Sequence, residues 1–161
     1  MVPYSDLWPE IFKKEKLNLM KILGKNSFLD IQHVGSTSIP SIDAKTIIDI
    51  GIAVESFEKS KTLIQPMIDA GYTYKGEFGI PGRHLFFKYD NGLALFHVHM
   101  NEITSREWMD QIYFRDFLRN NEEKSKEYCE LKNSLREKFP FDRTSNTNGK
   151  SEFIQSILKT R

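Results

Sequence analysis

The side chains with chemical potential fall in three short stretches. His33-Val34-Gly35-Ser36-Thr37-Ser38-Ile39-Pro40 sets a Gly-Ser-Thr-Ser turn directly behind an apolar run, and Lys45 and Asp49 follow closely. Glycine lets a backbone approach a ligand, and hydroxyls with consecutive N–H groups can hold phosphate oxygens. The GxxxxGK[ST] pattern is absent, so this is not a Walker loop. Taken alone, such a turn is equally explained by side-chain capping. Asp49 is the one charge in Thr46-Ile47-Ile48-Asp49-Ile50-Gly51-Ile52-Ala53-Val54. An acid in so apolar a stretch must be hydrogen-bonded, paired or metal-bound, and pairing with a neighbouring Lys or Arg is the plainest case. His97-x-His99 is the third stretch. On one strand face, two imidazoles can hold a divalent cation or, when charged, a phosphate; two solvated histidines fit the same spacing.

These residues need elements to position them. Alternation along the segment from Thr46 sends Ile48, Ile50, Ile52 and Val54 to one face and Ile47, Asp49, Gly51 and Ala53 to the other. A strand this apolar and β-branched belongs at the centre of a sheet. Leu95, His97 and His99 share a face in the same way, so neighbouring strands with aligned faces would bring Asp49, His97 and His99 together. Asp90-Asn91-Gly92 predicts a tight hairpin turn between strands at Arg83 to Tyr89 and Leu93 to Met100. Phe28 to Val34 and Tyr72 to Lys75 read as short strands. A helix is expected from Asp6 to Gly24, with Leu7, Ile11, Leu17, Met20 and Leu23 as its packed side, and another from Ser56 to Ala70, loosened by Pro66. Ser105 to Asn120, Glu122 to Lys138 and Thr147 to Lys159 read as helices. The order implies an α+β, mixed α/β domain over residues 1–161 with a helical C-terminal part from about 104.

Bulk composition removes several classes. With 39% apolar and 28% charged residues, the chain is neither disordered nor a membrane protein in composition. No apolar run approaches the roughly 20 residues of a spanning helix, and MVPYSDLWPE lacks signal-peptide layout, so a cytoplasmic location is expected. The lone Cys129 forms no internal disulfide and reads as a small helix residue. A net charge of +1 gives no general attraction to nucleic acid or membrane, so an anionic ligand must meet a local cluster of basic residues. By spacing alone, Arg115 and Arg119 form a solvated helix face, and Lys132 and Lys150 are ordinary surface lysines.

Taken in order, HVGSTSIPSIDAKTIIDIGIAV, the H-x-H strand, FRDFLR, the Tyr-x-x-x-Lys spacing in YCELK and Gly-Lys-Ser-x-Phe-Ile resemble the GrpB family, also called UPF0157, from about His33 to Ile157. The resemblance implies a nucleotidyltransferase-like mixed sheet flanked by helices. In active members of that superfamily a Gly-Ser grips a nucleotide triphosphate, and carboxylates on two strands hold two divalent metals that bridge the phosphates. Carried over, Gly35 and Ser36 match the grip and Asp49 one acid, whereas Gly51, or Ile47 if the register is read the other way, stands where an Asp-x-Asp partner would be. The resemblance further implies an anion pocket of His33, Gly35, Ser36, Thr37, Lys45, Arg83, Arg115, Lys132 and Lys150, with a magnesium, manganese or zinc ion at Asp49, His97 and His99. The expected ligand is a nucleotide or phosphorylated metabolite, either transferred in a metal-dependent way or only bound by a module that has lost its full acidic triad. Nucleic-acid binding through the C-terminal helices is a weaker alternative that the near-neutral charge disfavours.

Overall fold

A computed structural model describes residues 1–161. Helix α1 (Leu7–Leu23) leads into strand β1 (Asp30–Val34), a single 3-10 turn at Ser36–Ser38, and strand β2 (Ile48–Val54). Two short helices, α2 (Phe57–Ser60) and α3 (Ile64–Asp69), precede β3 (Thr73–Tyr74), β4 (Arg83–Asp90) and β5 (Leu93–Glu102). Three longer helices close the chain: α4 (Arg106–Arg119), α5 (Glu122–Lys138) and α6 (Arg143–Leu158). The sheet order is β1-β2-β5-β4-β3. Only the β2/β5 pair is parallel, and the segment from α2 to β4 supplies the long connection that a parallel pair requires.

The alternation in β2 divides the molecule. Ile48, Ile50, Ile52 and Val54 are buried in the principal core with Ile31, Phe86, Val98 and Met100 beneath α1 and α3. The opposite face carries Asp49, and its other end is covered by α4, whose Trp108 ring would lie 3.0 Å from a Cβ on Gly51. A second core, with Ile39, Ile42, Leu118, Tyr128 and Ile157, joins α4, α5 and α6 to the link between β1 and β2. The C-terminal helices are thus anchored beside the Gly-Ser turn.

Several elements depart from expectation for local reasons. Helix α1 buries Trp8, Glu15, Leu19 and Leu23, with Phe12 partly buried, while Leu7, Ile11, Leu17 and Met20 are exposed. Glu15 tolerates burial because Lys88 reaches it at 3.2 Å and the Asn18 amide donates to it at 2.6 Å. The Ser56 to Ala70 stretch is broken by a 3-10 turn at Lys61–Leu63, one turn ahead of Pro66, whose missing N–H leaves the Thr62 carbonyl without a helical partner. Helix α6 starts at Arg143, before the expected Thr147, because Asp142 caps it by accepting from Ser145 N–H at 3.0 Å. The hairpin turn forms as read, with Asn91 and Gly92 both at positive φ. No helix is long and apolar enough to cross a membrane.

Candidate functional site

The parallel register of β2 and β5 sets Asp49 beside His97 and Gly51 beside His99. Asp49 Oδ1 lies 3.1 Å from His99 Nε2 and 3.8 Å from His97 Nδ1. Arg83 approaches the other His99 nitrogen, Nδ1, at 3.4 Å. A guanidinium only donates, so Nδ1 accepts and His99 is the Nε2–H tautomer that donates to Asp49. Arg83, His99 and Asp49 form a relay from the sheet interior to the carboxylate. Arg83 also donates to the Glu77 and Phe78 carbonyls, holding the glycine-rich loop ahead of β4. Burial lowers the His97 pKa despite the opposing pull of Asp49, and His97 stacks on Phe87 at 3.9 Å between ring centroids.

A cleft of about 520 Å³ opens in front of Asp49 and His97. Ser36 and Thr37 form one wall, Lys45 and Ile47 the floor leading into β2, Lys132, Arg143 and Lys150 the helical side, and Phe78, Phe87 and Tyr89 the aromatic side. Gly35 shapes the entry: its φ is +73°, and a Cβ there would sit 2.5 Å from Asp49 Oδ2. The glycine therefore makes room for the carboxylate itself. Lys132 is buried, with Nζ donating to the Asp43 carbonyl at 3.0 Å and lying 2.7 Å from Ser36 Oγ. Burial and the neighbouring Lys150 lower its pKa to about 8. Lys150 is lowered as well, by burial and then by Lys45. It reaches the cleft because the preceding Gly149 lies directly against the Leu135 side chain, letting α6 close on α5. No salt bridge includes Lys45, Lys132, Arg143 or Lys150.

Of the residues expected around the anion, Ser36, Thr37, Lys45, Lys132 and Lys150 line this cleft with Asp49 and His97. Arg83, His99 and Gly35 stand behind Asp49 and do not line it. His33 and Arg115 line a different cleft, between α1 and α4, with Tyr4, Phe12 and Arg119. His33 is paired with Ile50, so alternation turns its ring to the α1 side, where it stacks on Phe12 and shares a 2.9 Å hydrogen bond with Thr37. Burial, then Arg119, drives its pKa down to about 4, leaving an uncharged ring. Arg115 is spent on structure, donating to Gln32 and the His33 carbonyl and pairing with Asp116. Arg143, Phe78, Phe87 and Tyr89 are site residues that the motifs did not mark.

Asp49, His97 and His99 do meet, yet no group of three or more His, Cys, Asp or Glu side chains is arranged to hold a metal ion. The Nε2–H of His99 faces the carboxylate as a donor, which leaves that nitrogen no lone pair for a cation. The three side chains alone do not fit a magnesium, manganese or zinc ion as its complete cage.

The family model described as GrpB protein matches residues 1–160. This chain belongs to the GrpB family. It is 40% identical over 162 residues to the glutamate-rich protein GrpB of Alkalihalophilus pseudofirmus, covering 98% of this chain and 92% of that protein. The crystal structure of conserved protein GrpB from Enterococcus faecalis superposes with a TM-score of 0.88 at 34% identity, covering 99% of this chain and 94% of that one. A shorter stretch of 75 residues, 45% of this chain, is 35% identical to 18% of a dephospho-CoA kinase of Mycobacterium tuberculosis.

Proposed function

We propose that the Asp49 cleft binds a nucleotide or a chemically similar phosphorylated small molecule. The observation carrying this reading is the convergence of Lys45, Lys132, Arg143 and Lys150 on one cleft with no carboxylate paired to any of them. Like charges crowded together with only the Asp43 and Asp49 carboxylates nearby raise each other's free energy, and a bound polyanion lowers it. Ser36 and Thr37 add hydroxyl groups for phosphate oxygens. The Phe87/His97 stack with Phe78 and Tyr89 offers flat apolar surface to a base or another planar group.

A nucleotidyltransferase-like transfer through three carboxylates and two metals is less favoured than binding. The two positions for a second acid are Gly51, where Trp108 fills the space a side chain would need, and Ile47, which is apolar and lines the cleft. Asp49 is left as one oriented carboxylate, held by His99, next to an anion pocket.

Titration calorimetry with pyrophosphate, ATP, coenzyme A and adenosine tests the reading. The first three should bind and adenosine alone should bind weakly. Lys150→Ala and Arg143→Ala should each weaken the anions about tenfold, equivalent to about 1.4 kcal/mol. If no phosphate compound binds folded protein, the cleft is not a phosphate site.

A further inference from the structure

We propose that Ser36 and Lys132 are a nucleophile and its general base, carrying a phosphoryl or nucleotidyl group on Ser36 Oγ. The proposal rests on the phosphate reading of the cleft for its substrate class, and on its own geometry for the chemistry. A serine hydroxyl becomes a useful nucleophile only when a neighbouring group takes its proton, and lysine fills that role where its amine is held neutral. Lys132 Nζ lies 2.7 Å from Ser36 Oγ, and Ser36 Oγ has no other hydrogen-bond partner. The adjoining hydroxyls are occupied elsewhere: Thr37 bonds to His33, and Ser38 donates to the Gly35 carbonyl. Ser36 is the hydroxyl of the turn held against an amine that lines the same cleft, whereas the His33 ring that Thr37 bonds lies on the α1 side.

Asp49 is not that base, because Ser36 Oγ makes no hydrogen bond to it and is paired with Lys132 Nζ. Around Lys132, Lys150 from α6 opposes the charged amine, as does burial; Cys129 on its own helix, Asp43 from the β1–β2 link and Asp49 from β2 favour it, and so does the Tyr128 ring 5.6 Å away. The opposing influences prevail, and the amine is half deprotonated at a pH of about 8.

The step balances without a redox partner. Ser36 Oγ forms a bond to the phosphorus of a phosphoanhydride, its proton passes to Lys132 Nζ, and the bridging P–O bond breaks. The leaving phosphate keeps that electron pair, its charge met by Lys45, Arg143 and Lys150. Water or an acceptor hydroxyl then attacks the phosphorus and releases its proton to solvent, the Ser36 O–P bond breaks, and Oγ regains its proton from Lys132.

Two probes test this on the full chain. Phenylmethylsulfonyl fluoride should modify Ser36, located by peptide mass spectrometry, with a rate that rises with pH to a plateau and a midpoint near 8. Lys132→Met and Lys132→Arg should each slow modification by about 100-fold, and Ser36→Ala should abolish it. ATP radiolabelled at the α or γ phosphate should leave acid-stable label on Ser36. Folded wild type, verified by circular dichroism, that resists modification from pH 6 to 10 overturns the dyad. So does an unchanged rate in a folded Lys132 variant, a pH-independent rate in wild type, or ATP treatment that leaves Ser36 bare. Pyrophosphate binding measured on the same samples separates the two ideas. Binding without modification removes the dyad and leaves the cleft reading, whereas sulfonylation without pyrophosphate binding removes the phosphate substrate and with it this transfer.

Discussion

At the scale of single residues, Gly35 and Asp49 define each other's space. A side chain at Gly35 faces two penalties, a left-handed backbone and a carboxylate oxygen 2.5 Å from the new Cβ. Gly35→Ala should lower unfolding free energy by roughly 2 kcal/mol and weaken anion binding as Asp49 shifts; an unchanged urea midpoint would show that the turn absorbs the methyl. His33 supplies a pH test away from the cleft. Its folded pKa of about 4 lies below the ordinary 6.5, so the unfolded chain takes up the proton first as pH falls. Its contribution is complete above pH 6.5 and lost progressively toward 4, a difference of about 3 kcal/mol. Urea titrations across that window should show stability falling with acid in wild type and falling less steeply in His33→Gln. Asp49 and His97 were legible in the sequence because strand alternation fixes faces without knowing neighbours. The same alternation, applied one residue before Val34, puts His33 on the far side from Asp49, against its place in the motif. Arg115 gave no such sign, since its partners Gln32, His33 and Asp116 lie on two elements.

Elements add errors and corrections of their own. Helix α1 has two plausible apolar sides, and the one buried runs Trp8, Phe12, Glu15, Leu19 and Leu23, matching helical spacing. Glu15 hides that stripe from a count of apolar residues, because its burial is made tolerable by Lys88 on β4, a partner remote in sequence, together with Asn18. The hairpin conceals its aromatic wall in a comparable way. Tyr89 pairs with Ala94, but a bulge shifts the register so that Lys88 pairs with Phe96 and Phe87 with His97. The extra residue, Leu95, lies on β5, so Phe87 keeps the face it shares with Tyr89 by alternation, and the bulge brings His97 rather than Phe96 opposite it on the cleft side. Arg143 escaped notice because its position depends on the Asp142 cap that starts α6 early. Where α5 meets α6, Gly149 against Leu135 sets how closely Lys150 and Lys132 approach. Gly149→Ala gains helix propensity of up to about 1 kcal/mol and loses more to overpacking, for a net destabilisation of roughly 1–2 kcal/mol. Leu135→Ala should relieve part of it, so thermal melts of the double-mutant cycle should show the pair less destabilised than the two changes summed. Simple additivity would mean the helices part without strain.

On the scale of the whole molecule, the cleft lies where two cores meet. Asp49, Phe87 and His97 belong to the sheet, Lys132, Arg143 and Lys150 to helices packed around the second core. In the free protein, no salt bridge joins Arg143 or Lys150 to the sheet, leaving contacts such as those of Lys132 with Ser36 and the Asp43 carbonyl to hold the helical side closed. A polyanion contacting both sides adds to these, because any opening that separates α5 and α6 from the sheet must also break ligand contacts. Stabilisation by a ligand selective for the closed form is about 2.7 kcal/mol at a concentration one hundred times Kd. It should concentrate in the elements that the ligand bridges. Hydrogen exchange with saturating pyrophosphate should therefore slow amides in α5 and α6 more than those in α1, which lies on the other face of the sheet and touches no cleft residue of the helical side. Raising salt should erase the difference, since screening weakens the attraction that produces it. Uniform slowing over all helices would instead place the anion where it stabilises only global unfolding, and no slowing in α5 or α6 would separate Lys132 and Lys150 from the ligand altogether.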